Sequence, residues 1–258
     1  MISKNYHTHT YRCKHALGDC MDYIQVAKNA GLTTLGFSEH MPLPNDRWTH
    51  VHLEAEGLEE YVHTVRECDD RTSDLEILLG GECEYIKEEH AYYQEELLDR
   101  HQFDYLIGAP HWIPCGSDWV GYTKMKNAED LRYFASYCVS VIESGLFSYL
   151  AHPDVFMVGY KEWDANATAC TNDIIDASLE LGIPLELNAN GLRKSEIGSF
   201  DEIGKALYPN ISFWQLAAER KVPAIIGSDA HDPDLLTDRI DICEQLAAQL
   251  GIKIVDTL

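Results

Sequence analysis

The sequence predicts a seven-fold β/α barrel. Three observations point to it. Short apolar or β-branched runs alternate with helical patterns along the chain, which indicates parallel strands joined by helices. Seven such units follow one another within 258 residues, a length that one barrel fills. Almost every run ends in metal-ligand residue types, and a barrel opens all of its strand ends onto one shared face. An open doubly wound sheet would share only the strands around its switch point.

The strands are expected at 5–10 (NYHTHT), 33–40 (TTLGFSEH), 76–85 (EILLGGECEY), 105–112 (YLIGAPHW), 147–154 (FSYLAHPD), 184–190 (PLELNAN) and 223–231 (PAIIGSDAH). Helices are expected at about 20–30, 57–71, 88–100, 127–144, 171–181, 210–220 and 237–250. Cap-type residues open several of them, at Asn127, Thr171 and Asn210. Glycines close others, at Gly31, Gly145, Gly182 and Gly251. With no low-complexity tract, long linker or repeat, residues 1–258 read as one domain.

Composition narrows the partners. The formal charge of -23 disfavours nucleic acid and anionic membrane, which are bound through Lys/Arg-rich surfaces. The opening MISKNYHTHT has no signal-peptide core, and no run of about 18 apolar residues could span a bilayer. Eight scattered cysteines without a C-x-x-C fit reduced thiols, so a cytoplasmic location is expected. The same charge means that an anionic substrate needs bound cations or local arginines.

The candidate ligands lie at strand ends: His7 and His9 on the first strand, His40 on the second, Glu82 on the third and His111 on the fourth. His152 is on the fifth, Asp229 and His231 are on the seventh, and His15 joins from the loop after the first. Residues two apart on a strand face the same side, so HTH and DAH each aim two ligands into one mouth. Glu39, beside His40, points the other way. Seven of the 12 histidines thus converge, while His50, His52, His63, His90 and His101 read as ordinary loop or helix residues. Imidazole and carboxylate suit Zn²⁺, Fe²⁺ or Mn²⁺. Nine ligands exceed one coordination sphere, so two or three divalent ions sharing Glu82 as a bridge are expected. Such a site lowers the pKa of bridging water and neutralises a leaving oxygen, which is the chemistry of phosphoester hydrolysis.

The motifs HTHTYRCKH, GFSEH, GGECEY, GAPHW, AHPD and GSDAH resemble, in order, those of the PHP (polymerase and histidinol phosphatase) family, from Asn5 to about Pro233. The resemblance implies a distorted seven-stranded, TIM-like barrel with a trinuclear centre. It assigns one metal to His7, His9, Glu82 and Asp229, a second to Glu82, His111 and His152, and a third to His15, His40 and His231. Within the family, LELNANGLRKSE and YPNISFWQLAAERKVPAIIGSDAHDP are similar to monofunctional histidinol-phosphate phosphatases, which implies a phosphate-contacting arginine at Arg193. After His152 this chain carries Met157 and Val158 where those enzymes have a second basic residue, leaving Lys161 as its substitute. Arg12 and Lys14 are further cationic candidates.

The expected reaction is attack of a metal-bridging hydroxide on a small phosphomonoester, L-histidinol phosphate first among them. Asp229 or His231 shuttles the proton to the leaving alkoxide. Asp154 either orients His152 or caps a helix. The alternatives are a phosphatase for a nucleotide, sugar phosphate or phosphotyrosine, and a non-catalytic metal-binding module.

Overall fold

The computed structural model describes residues 2–256 and 258. Seven parallel strands form one curved sheet, and a separate two-stranded hairpin stands over it. In chain order the elements are β1 (Lys4–Asn5), α1 (Cys20–Ala30), β2 (Thr34–His40), α2 (Leu58–Asp70), β3 (Glu76–Cys83), β4 (Tyr105–Gly108) and the hairpin β5 (Trp112–Cys115) and β6 (Asp118–Gly121). There follow α3 (Ala128–Glu143), β7 (Tyr149–Leu150), α4 (Met157–Tyr160), α5 (Ala165–Leu181), β8 (Leu185–Asn188), α6 (Ala189–Lys194), α7 (Ile211–Glu219), β9 (Ala224–Gly227) and α8 (Ile240–Leu250). The sheet order β1-β2-β3-β4-β7-β8-β9 follows the chain, as a barrel requires.

The ring closes unevenly. At the mouth, Thr8 bridges Ala230, with the His9 N–H donating to the Ala230 carbonyl at 2.9 Å. Lower down, the C-terminal segment takes the β9 edge instead. Ala224 N–H donates to Lys253 O at 2.9 Å, and Val255 N–H donates to Ala224 O at 2.8 Å. The first and last strands are therefore joined where HTH and DAH lie, and splayed beneath. This is the distortion that the family resemblance implies.

Two apolar layers hold the barrel. Its interior is filled by Tyr6, Tyr105, Ile107, Tyr149 and Ile225. The Tyr105 hydroxyl donates to Tyr6 O at 2.6 Å, and its ring passes so close to Gly80 that a Cβ there would lie 2.2 Å from it. The larger layer packs the helices on the sheet's outer face. Local rules set their ends: Asp19 with Asp22 and Asn127 with Asp130 form reciprocal caps that start α1 and α3. Gly31, Gly182 and Gly251 end α1, α5 and α8 in the left-handed conformation.

Several elements differ from the sequence expectation, and strands such as the first and fifth are shorter, at Lys4–Asn5 and Tyr149–Leu150. Thr171 does not start a helix; it is buried inside α5, which Asp164 caps seven residues earlier. The fourth strand stops at Gly108, and Trp112 begins the hairpin, whose pairing no alternation in the sequence announced. Residues Tyr92–Arg100 wind as a π-helix. Among the described residues, no helix is long and apolar enough to cross a membrane.

Candidate metal centre

The strand ends deliver their ligands to one buried cluster around Glu82. Its carboxylate, at the end of β3, lies 3.2 Å from His7 Nε2, 3.5 Å from His9 Nε2, 3.0 Å from His40 Nδ1, 3.7 Å from His111 Nε2 and 3.1 Å from His152 Nε2. Five imidazoles from four strands thus face one carboxylate. Asp229 joins from the end of β9, its Oδ1 3.4 Å from His9 Nε2 and 3.3 Å from His231 Nδ1. His152 and Asp229 both have positive φ, 29° and 47°, in the left-handed region that non-glycine residues seldom occupy. Each lies two residues past a short strand, and the turned backbone aims its side chain back into the mouth.

His15 and His231 form the outer edge. Each donates its Nδ1–H to a carbonyl, His15 to Cys13 O at 2.7 Å and His231 to Asp229 O at 3.1 Å. Both Nε2 atoms then carry lone pairs, and they face one another at 3.1 Å. Two acceptors at that distance repel unless a cation sits between them. Two ligands about 2.0–2.1 Å from one metal ion have this separation. Deeper in, His7 Nε2, both nitrogens of His9 and His40 Nδ1 are buried without a hydrogen-bond partner. Such a set of bare nitrogens is costly as a core and apt as a metal-binding cluster.

The electrostatics agree. Burial and the neighbouring His231 push the His15 imidazole down to about 4, and burial with His9 lowers His40 and His231. These rings are therefore neutral, the form that binds metal. Burial opposes charge on Glu82 and Asp229, yet the surrounding histidines, His7 foremost, hold both carboxylates well below their ordinary range. Burial likewise opposes protonation of His9, but the nearby Asp229 and Glu39 carboxylates outweigh it and raise the ring to about 9. A divalent ion replaces that proton as the partner of the carboxylates.

Ligand atoms converge within 4.8 Å in the sets His7–His9–Glu82, His40–Glu82–His111 and His9–His40–His231. His40 therefore stands between the second and third groups, close to Glu82 as well as to His231. His15 reaches the cluster through His231.

Carboxylates behind the cluster orient it. Glu186 Oε1 lies 2.6 Å from His7 Nδ1, while its Oε2 accepts from His152 N–H at 3.0 Å and Asn188 Nδ2 at 2.8 Å. Gly227 makes room for it, since a Cβ there would lie 1.8 Å from Oε1. Glu84 bonds His111 Nδ1 at 2.7 Å. Glu39 points away from the mouth, as its strand parity requires, yet it sits 3.5 Å behind His9 Nδ1 and accepts from Thr10. Asn188 and Asn190 donate to Asp229 Oδ2 at 3.2 and 2.9 Å, turning Oδ1 toward the histidines. Such partners fix ring orientation and ligand basicity. The sequence carried one signal for them: Glu84 lies two residues after Glu82 and so faces the same side.

Outside the cluster lies a cavity of about 450 Å³, with Trp112, Tyr122, Asn190 and Lys194 among its walls. The basic residues expected there are placed elsewhere. The Arg193 guanidinium is committed to three carbonyls, Asp238 O at 3.0 Å, Ser228 O at 2.5 Å and Asp229 O at 3.2 Å, and so braces the end of β9. Arg12 is buried against Asp19 at 2.6 Å and Glu60 at 3.1 Å. Lys14 pairs with Glu54 at 2.7 Å. Lys161 is exposed, ending α4 in the left-handed conformation. Among the described residues, the Lys or Arg on the cavity wall is Lys194, near Asp229, Tyr122 and Tyr208.

Of the two roles open to Asp154, the helix-start role is the one found: its Oδ2 accepts from Asn210 N–H at 2.6 Å and Trp214 Nε1 at 3.1 Å, pinning the start of α7 rather than orienting His152. His52 is no ordinary loop residue. It is buried, stacks on His40 with ring centroids 5.5 Å apart, and faces Glu84 Oε2 at 3.2 Å.

A family model for the PHP domain matches residues 5–190. The probable histidinol-phosphatase of Deinococcus radiodurans is 30% identical over 236 residues, covering 88% of this chain and 85% of that protein. The histidinol-phosphatase of Bacillus subtilis is 25% identical over 274 residues, covering 90% and 94%. The crystal structure of histidinol phosphate phosphatase from Lactococcus lactis, complexed with zinc, L-histidinol and phosphate, has the same fold. It superposes with a TM-score of 0.73 at 17% identity, covering 99% of this chain and 96% of that one. With the family model spanning most of the strands and the ligand motifs in order along them, the chain belongs to the PHP domain family.

Proposed function

We infer that this protein is a metal-dependent phosphomonoester hydrolase that converts L-histidinol phosphate and water to L-histidinol and phosphate, a cytoplasmic step of histidine biosynthesis. The observation that carries the metal-dependent part is the facing pair of bare Nε2 atoms on His15 and His231, beside a carboxylate ringed by five imidazoles. The substrate follows from the relatives, two of which are named for this activity over most of their length. The ligands are His7, His9, His15, His40, Glu82, His111, His152, Asp229 and His231, holding two or three ions of zinc, manganese or iron. Bound divalent ions supply water activation and neutralise charge on the phosphate.

The residues do the rest. Glu82 sits at the hub, where one carboxylate can serve two sites. Glu186, Glu84 and Glu39 hold the imidazoles behind it in place. Asp229 and His231 line both the cluster and the cavity, and we assign to this pair the proton that must pass to the leaving alkoxide. Lys194, rather than Arg193 with its three carbonyl partners, is the cation that meets the phosphate. The deciding experiment measures kcat/KM over a panel of phosphomonoesters, with metal content determined on the same sample. L-Histidinol phosphate is expected to exceed nucleotide, sugar and aryl phosphates. No preference over a generic aryl phosphate discards the substrate, and turnover that survives complete metal removal discards the mechanism.

A further inference from the structure

We propose that Cys13 is a ligand of the outermost ion, so that the site edged by His15 and His231 grips a thiophilic divalent cation through one sulfur and two imidazole nitrogens. The proposal rests on the reading of the strand ends as a metal centre. It adds to that centre a thiolate, which selects zinc or cobalt over manganese or magnesium.

Cys13 Sγ and one nitrogen each of His15 and His231 all lie within 4.8 Å of one another. Among the described residues, this is the only convergent set that contains His15. His40, the third ligand expected there, converges instead with His9 and His231 and with Glu82 and His111, and its Nδ1 is 3.0 Å from Glu82. The common partner of His15 and His231 is therefore a sulfur. A tetrahedral ion holds sulfur at about 2.3 Å and imidazole nitrogen at about 2.1 Å, so the two stand about 3.6 Å apart and the side chains need close by little more than about 1 Å.

The local chain holds the thiol in place. Thr10 caps a single 3₁₀ turn over Tyr11–Cys13, and Lys14 ends it in the left-handed conformation at φ 70°. The reversal leaves Lys14 in solvent and buries Cys13 completely. His15 Nδ1–H donates to the Cys13 carbonyl at 2.7 Å, and Leu17 N–H donates to His231 O at 2.8 Å, so the loop bearing thiol and imidazole is fastened beside His231. The S–H donates weakly to Thr10 O at 3.3 Å, which leaves the sulfur lone pairs free. Cys13 also converges with His9 and Glu39, but that carboxylate is already committed. Its Oε2 accepts from Thr10 N–H at 3.0 Å and Thr10 Oγ1 at 2.6 Å, and its Oε1 accepts from His40 N–H at 3.1 Å. The outer pair, with its Nε2 atoms 3.1 Å apart, is the place that calls for an ion. As the sulfur–metal bond forms, the thiol proton passes to solvent.

The test uses the full chain loaded with cobalt(II), which reports sulfur ligation through a thiolate-to-cobalt charge-transfer band in the near-ultraviolet, beside its visible bands. Wild type is expected to show both. Cys13→Ser and Cys13→Ala should lose the near-ultraviolet band and keep the visible bands of the inner ions. In chelator competition the same variants should release one equivalent of zinc at a chelator concentration at least about tenfold lower, with manganese retention unchanged. Cobalt bound with visible bands but no sulfur band in wild type overturns the proposal and leaves the metal centre standing. So does a sulfur band that survives both substitutions, or an unchanged ratio of zinc to manganese retention. Failure to bind any cobalt or zinc discards the metal centre and the proposal together. If the variants do not fold, X-ray absorption at the zinc edge of the wild-type holoenzyme decides. Sulfur at about 2.3 Å from zinc supports the ligand, and a shell of nitrogen and oxygen alone overturns it.

Discussion

Glu186→Gln is a small change with a large expected effect. Three donors converge on the Glu186 carboxylate: His7 Nδ1–H at 2.6 Å on Oε1, and His152 N–H and Asn188 Nδ2–H at 3.0 and 2.8 Å on Oε2. A glutamine offers one acceptor oxygen and one amide nitrogen in the same space. If its oxygen faces His7, the amide meets two donors; if it is flipped, the amide meets His7. Either way a buried donor loses its partner, which costs about 1–3 kcal/mol. The same change frees the His7 ring, whose orientation Glu186 sets. Loss of such a supporting carboxylate lowers metal affinity about 10–100-fold, roughly 1.4–2.7 kcal/mol. The assays are thermal unfolding of the metal-free protein and competition for metal with a graded chelator. We expect a lower Tm and metal released at 10–100-fold lower chelator concentration. A variant that keeps both Tm and metal affinity within about threefold of wild type would refute the reasoning.

Gly227→Ala places a methyl 1.8 Å from Glu186 Oε1, so it should destabilise by about 1–3 kcal/mol and also weaken metal retention, read by urea unfolding and metal analysis. Lys194→Met should raise KM for the phosphomonoester about tenfold with Tm nearly unchanged, whereas Arg193→Met, which strands three carbonyls, should lower Tm; the opposite pattern would restore Arg193 to the phosphate. Burial raises the Asp19 carboxyl, but the Arg12 guanidinium outweighs it and leaves the carboxyl below its ordinary range. A depressed folded pKa contributes stability that is present at neutral pH and lost on acidification through the carboxylate range. Asp19→Asn should therefore be less stable at pH 7 and show a shallower acid limb in unfolding titrations.

Much of this centre is written in the chain. HTH places two side chains on one side of the extended chain by the period of two, Asp229 of DAH is turned in by its left-handed backbone just past β9, and the β/α alternation brings seven strand ends to one face. Ligand type and fold class follow from the sequence because both depend on local pattern. The orienting carboxylates were harder to read. Glu186 becomes the partner of His7 only because the ring closes β9 between β8 and the first strand's end, with Gly227 leaving room for the carboxylate. Glu84 meets His111 only where β3 pairs with β4. His52 lies on a loop without any periodic pattern, and only packing beneath Trp48 carries it to Glu84.

The basic residues show the division most clearly. Arg193 and Lys194 are adjacent on α6, about 100° apart around a helix. Which of them faces the cavity is decided by how six residues of helix dock against the end of β9, and no local pattern encodes that rotation. Docked as it is, the guanidinium meets three carbonyls and the ammonium meets the cavity. The sequence by itself determined the barrel and grouped the candidate ligands at its strand ends, since both follow from the local β/α pattern. Only the tertiary structure decided which carboxylates and which cation stand behind and beside them, since those contacts join residues whose spacing along the chain says nothing of their distance.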